Sequence, residues 1–129
     1  MTVLSIRTDK PEAEVGLWDN SNKMDYETWY AHRELAATFN RKVEELLNKS
    51  SISYKQLQGI VIFKGPGSFT GLRIGMSVAN ALAYSLQIPI VSTAGKDWIE
   101  DGIKKLSSGA ADKIALPEYG GPPKTTSPR

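Results

Sequence analysis

The chain has 129 residues, the size of one domain, and at that length folding removes roughly two-thirds of the unfolded surface from water. Forty per cent hydrophobic and 23% charged residues exclude a fibrous or wholly disordered chain. Sixteen basic against fourteen acidic residues leave a net charge of +2, scattered rather than gathered into a nucleic-acid stripe.

The absence of cysteine excludes disulfides, thiolate metal sites and cysteine nucleophiles. Met1 to Arg7 lack the charged start, apolar stretch and cleavage site of a secretory signal, and no apolar run approaches the roughly 20 residues that span a bilayer. A cytoplasmic protein with no membrane association is expected.

Val3-Leu4-Ser5-Ile6-Arg7 is short and rich in branched apolar residues, and Asp9-Lys10-Pro11-Glu12 ends it as a turn. Val15-Gly16-Leu17-Trp18 reads as a second strand, closed by the turn-forming Asp19-Asn20-Ser21-Asn22-Lys23, and a third from about Tyr26 to Tyr30 completes an antiparallel meander. From Leu35 the period changes. Leu35, Ala36, Phe39, Val43, Leu46 and Leu47 share one side of a helix, with Arg41, Glu44, Glu45 and Asn48 opposite. Ser53 is placed to cap a further short turn.

Ile60-Val61-Ile62-Phe63 is continuously apolar, the pattern of a strand covered on both faces. A glycine-rich turn, a helix over about 70–86, a strand at Pro89-Ile90-Val91-Ser92 and a helix from about Lys96 to Leu106 follow, alternating as a parallel crossover requires. Four of the seven prolines lie between Pro117 and Arg129, so a lobe over 1–106 and an extended tail over 107–129 are expected, with Ile114, Ala115, Leu116 and Tyr119 available for docking. The sum is a five-stranded mixed α/β sheet: three antiparallel strands, then helix, strand, helix, strand and helix. That order matches the ribonuclease H-like and actin-like ATPase lobes.

Gly65-Pro66-Gly67-Ser68-Phe69-Thr70-Gly71-Leu72-Arg73-Ile74-Gly75 joins a buried strand to a helix. Backbone amides at such a helix start can cradle an anion, which makes Gly65, Gly67, Ser68, Thr70 and Gly71 an anion-binding candidate. A phosphate-binding Walker loop, however, needs Lys and Ser or Thr after its last glycine, where Leu72 and Arg73 stand. The alternative is a tight strand-to-helix turn with Ser68 or Thr70 as its cap.

Within the helix, Gly71, Gly75, Ala79 and Ala83 form a smooth stripe, and Ile74, Val78 and Ala81 a second apolar strip. One strip belongs to the sheet; the other fits either the first helix or a helix of another chain. Catalytic constellations are scarce. His32 is a lone histidine and reads as a surface group, Ser68 lacks a nucleophile-elbow pattern, and Asp97, Glu100 and Asp101 read as a solvated helix start. No catalytic residue, cofactor or metal is expected.

The eleven-residue run resembles the signature of the TsaB (YeaZ) family, whose members serve tRNA threonylcarbamoyladenosine synthesis. The spacing from Glu45-Leu46-Leu47 through Leu57, the strand to Lys64, and Ile88-Pro89-Ile90-Val91 extend the likeness over about the first hundred residues. The resemblance implies an actin-like amino-terminal lobe, with the second lobe missing. It also implies a non-catalytic protein that forms a heterodimer with the transferase TsaD through the first two helices, meets tRNA only through that complex, and self-pairs when alone. Docking of the ATPase TsaE is a further implication, which the missing lobe weakens.

On this resemblance Leu35, Phe39, Val43, Arg73, Met76, Ser77, Asn80 and Tyr84 are the candidate partner surface. The family's Asp-Thr-Ser after the first strand is replaced here by Arg7, Thr8 and Asp9, which argues against nucleotide hydrolysis. An association of the family with peptidase activity finds little support in one histidine and no cysteine.

Overall fold

The structure is a computed structural model that describes residues 1–112 and 114–118; the expectations placed on Tyr119 and on the His32 side chain lie outside what is described. Three strands open the chain, β1 (Thr2–Arg7), β2 (Glu12–Asp19) and β3 (Asn22–Tyr30). They pair antiparallel, with Leu4 opposite Leu17 and Gly16 opposite Tyr26. The second and third strands both begin three or four residues earlier than expected. Glu12 and Glu14 alternate with buried Ala13, and the start of β3 lies exposed at the sheet edge beside a register shift at Leu17/Trp18.

Helix α1 (Leu35–Lys49) buries Leu35, Phe39, Val43, Leu46 and Leu47, while Ala36 is exposed. A single turn at Tyr54–Gln56 follows, and the Ser53 amide donates to Gln56 Oε1 at 2.9 Å. Strand β4 (Gly59–Phe63) is buried at all five residues because it lies between β1 and β5 (Ile90–Thr93), parallel to both. The sheet order is β3-β2-β1-β4-β5.

Alternation along the strands makes two layers. Leu4, Ile6, Val15, Leu17, Ile60, Ile62 and Ile90 pack with α1 and α2 (Phe69–Leu86) on one face. Val3, Val61, Phe63 and Val91 pack with α3 (Trp98–Ser107) on the other. In the second layer Phe63 meets Trp98 edge-on, their ring centroids 5.6 Å apart.

After α3 the described residues up to 118 carry no regular secondary structure, yet Ala115 is buried in the core with residues of α2 and the sheet. Ile114 and Leu116, the bulkier docking candidates, point outward. A backbone running along an edge with no fixed period presents whichever side chain the anchoring hydrogen bonds turn inward, and here that is the methyl of Ala115.

The glycine-rich turn and the candidate partner surface

The turn sits at the carboxyl end of β4, where Gly65 has φ +113° and starts the reversal into α2. Ser68 is the cap: its Oγ accepts the Gly71 amide at 3.3 Å, which satisfies one of the unpaired donors of the first helical turn. Thr70 lies inside that turn and is exposed.

What the other glycines do follows from the loop after β1. The Ser68 amide donates to the Asp9 carbonyl at 2.9 Å, and Thr8 Oγ1 donates to the Gly71 carbonyl at 2.9 Å. A side chain at Gly67 would overlap Asp9, and one at Gly71 or Gly75 would overlap Thr8. The smooth stripe of α2 is therefore cut to fit the end of β1. The Ser68 and Gly71 amides are thus engaged within the chain, while Ser68, Thr70 and Gly71 also line, with Lys10 and Arg33, a hollow of about 610 Å³.

Arg7 and Asp9 close the same corner. Arg7 Nε donates to Asp9 Oδ1 at 2.8 Å and Nη2 to Oδ2 at 3.2 Å, a two-point pair, with the guanidinium 3.9 Å from the centroid of the Phe63 ring. The hydrogen bond to Asp9 holds the guanidinium pKa above its ordinary value, against the opposing effect of burial. Asp9 is 7% exposed and neutralised by a neighbour in its own chain, so the corner is electrostatically complete. Among the described residues no three His, Cys, Asp or Glu groups stand close enough to hold a metal, and no helix is long and apolar enough to cross a membrane.

The candidate partner residues divide by burial. Leu35, Phe39, Val43 and Met76 are at most 4% exposed and pack inside this chain, so they form its core and not a surface. Helical periodicity identifies an apolar face without saying what covers it, and here the sheet and the α1–α2 contact cover it. Replacing Phe39 by alanine would cost about 3–5 kcal/mol of stability on packing grounds alone.

Arg73, Ser77 and Tyr84 are exposed, and Asn80 is half-buried with its amide engaged by Ala115. With Ala81 they make the outer face of α2: small or polar along its middle, with Tyr84 86% exposed near one end and Phe69, beneath the Arg73 guanidinium, at the other. Thr70, Arg73, Ile74 and Ser77 line a shallow hollow of about 270 Å³ on this face. Exposed Ala36, Ala37 and Asn40 continue the lightly charged surface onto α1.

The strand order, with α1 and α2 on one face of the sheet and α3 on the other, defines a ribonuclease H-like or actin-like ATPase lobe. The RuvC structure from Thermus thermophilus shares this fold at a TM-score of 0.52 and 11% identity, over 85% of this chain and 69% of its own. A family profile described as TsaD, tRNA N6-adenosine threonylcarbamoyltransferase, matches residues 29–94, just over half of the chain. The protein "tRNA threonylcarbamoyladenosine biosynthesis protein TsaB" of Bacillus subtilis (strain 168) is 36% identical over 99 residues, covering 77% of this chain and 43% of that relative. The structure "YeaZ from Pseudomonas aeruginosa" superposes with a TM-score of 0.67 at 25% identity, over 78% of this chain and 50% of its own. The chain belongs to the TsaD family of that profile, in its TsaB (YeaZ) branch. It spans about half the length of the relatives it matches.

Proposed function

We propose that this chain is a non-catalytic partner of a TsaD-type transferase in tRNA threonylcarbamoyladenosine synthesis, and that it docks through the outer faces of α1 and α2. The observation that carries the reading is the outer face of α2. Arg73, Ser77, Ala81 and Tyr84 form a smooth strip with a single charge that the described residues leave uncovered, while the apolar side of the same helix is satisfied internally. Such a strip lets another helix approach closely, and Tyr84 is the large, rigid kind of side chain that anchors an interface. The filled corner at Arg7, Thr8 and Asp9 supports a binding role over nucleotide chemistry.

On this reading tRNA is met only through the transferase, the ATPase TsaE binds the assembled pair, and the free chain self-pairs on the same face. The test is co-expression with the transferase of the same genome, followed by light scattering of the purified species. A one-to-one complex is expected, and Tyr84→Glu weakens it at least about tenfold, the effect of losing one buried aromatic anchor. Tyr84 is exposed, so its substitution leaves the melting temperature within about 2 °C. No complex, or undiminished affinity of Tyr84→Glu, would overturn the assignment.

A further inference from the structure

A sheet of order β3-β2-β1-β4-β5 leaves two edges, and the β5 edge is closed by an unusual device. The Asp112 amide donates to the Ile90 carbonyl at 2.7 Å, and Asp112 Oδ2 accepts both the Ser92 amide and the Ser92 hydroxyl at 2.8 Å. One residue thus serves the edge as a neighbouring strand would. Three residues on, the Asn80 side chain pairs with the backbone of Ala115 in both directions, donating to its carbonyl at 2.9 Å and accepting its amide at 2.8 Å. Three further on, the Glu118 amide donates to the Lys64 carbonyl at 2.6 Å, and the Glu118 carbonyl fills the space a side chain at Gly65 would need.

Each anchor grips a different element: β5, α2 and the start of the glycine-rich turn. Among the described residues little else holds the segment. Ala115 is buried, but Ile114 and Leu116 are 57% and 64% exposed, and the Lys64–Glu118 ion pair at 3.6 Å is solvated. A segment fixed by hydrogen bonds and one methyl group, with little apolar burial, opens at far lower cost than the core. It runs along the β5 edge from the amino end of that strand at Ile90 to the carboxyl end of β4 at Lys64, where open α/β folds take their ligands.

We infer that Asp112, Ala115 and Glu118 are the fastening points of a detachable latch that closes the carboxyl end of the sheet and the edge of β5, and that they release together. This goes beyond the partner role and does not depend on it.

Residue-resolved amide hydrogen exchange on the whole chain tests it. In the native protein the amides of Ser92, Asp112, Ala115 and Glu118 exchange through one common opening, at least about tenfold faster than those of Leu4 and Ile6 in β1. Asn80→Ala touches one anchor only, yet it speeds all four by about tenfold, the effect of losing two ordinary hydrogen bonds, and Leu4 and Ile6 stay slower than the four. Asp112→Asn keeps a carbonyl acceptor for Ser92 and leaves Ala115 near its native rate. Acceleration confined to Ala115 overturns the proposal, as do four unrelated native rates or exchange as fast as a free peptide. Should Asn80→Ala unfold the chain, the β1 amides report it and the native rates alone decide.

Discussion

Gly75→Ala is the sharpest test of why α2 carries its small-residue stripe. In an isolated helix the change would stabilise by about 1 kcal/mol, since alanine is the better helix former. In this fold the new methyl overlaps Thr8 Oγ1 and stands 2.9 Å from Thr8 Cβ. Relief requires α2 to move off β1 or Thr8 to rotate, and rotation breaks its 2.9 Å bond to the Gly71 carbonyl. Overpacking of this kind costs about 1–3 kcal/mol, and the lost hydrogen bond about 1 kcal/mol more.

The net expectation is a loss of about 2 kcal/mol, a fall in melting temperature of roughly 8 °C for a chain of this size. Thr8→Ala removes Oγ1 and Cγ2, so in that background the Gly75→Ala penalty shrinks, with a coupling energy of about 1 kcal/mol between the two sites. Urea unfolding of the four members of the cycle, with calorimetry as a second measure, gives both numbers. Stabilisation by Gly75→Ala, or additivity within about 0.3 kcal/mol, would refute the fit of α2 to the end of β1 and return the stripe to some other partner.

Arg7→Met strands the Asp9 carboxylate at a site where it is 7% exposed, and costs about 2 kcal/mol by chemical denaturation. Adding Asp9→Asn recovers about half of that loss. Tyr26 supplies a prediction in pH. Burial raises its phenol pKa, and the hydrogen bond to Glu14 together with the charge of that carboxylate adds to the effect. The fold therefore favours the protonated phenol, so its contribution is intact below the ordinary tyrosine value near 10 and declines as pH climbs above it. Ultraviolet titration should show one tyrosine ionising well after the exposed ones, and Tyr26→Phe should flatten the alkaline loss of stability. An unchanged alkaline slope in Tyr26→Phe would show that the loss comes from other groups.

The fold was legible because its strongest signals are periodic. Five apolar positions of α1 and the unbroken run of β4 each admit one environment, and both are buried as their patterns demand. The ends of β2 and β3 were harder to read: Glu12, Glu14 and Lys23 lie on strands whose pairing, rather than composition, makes them extended.

At the candidate surface the family resemblance put forward core and exposed residues together. Phe39 and Met76 are apolar because they face the sheet, and their spacing is the same whether a sheet or a second protein covers them. Arg73, Ser77 and Tyr84, put forward by the same resemblance, are exposed. The clamp from Asn80 to Ala115 had no readable signal, since an asparagine in mid-helix and an alanine in a loop each look ordinary until 35 residues of chain bring them together.

The place of β1 in the sheet has a consequence for synthesis. Its antiparallel partner β2 follows directly, whereas its parallel partner β4 comes only after β3 and α1, with Val3 aligned to Gly59. A chain emerging from the ribosome can close the β1–β2–β3 meander early, but Leu4, Ile6, Val15 and Leu17 then wait for α1, β4 and α2 to cover them. During that interval the nascent meander shows one bare apolar side. A pause in translation before about residue 60 would lengthen that exposure, and one after α2 would not.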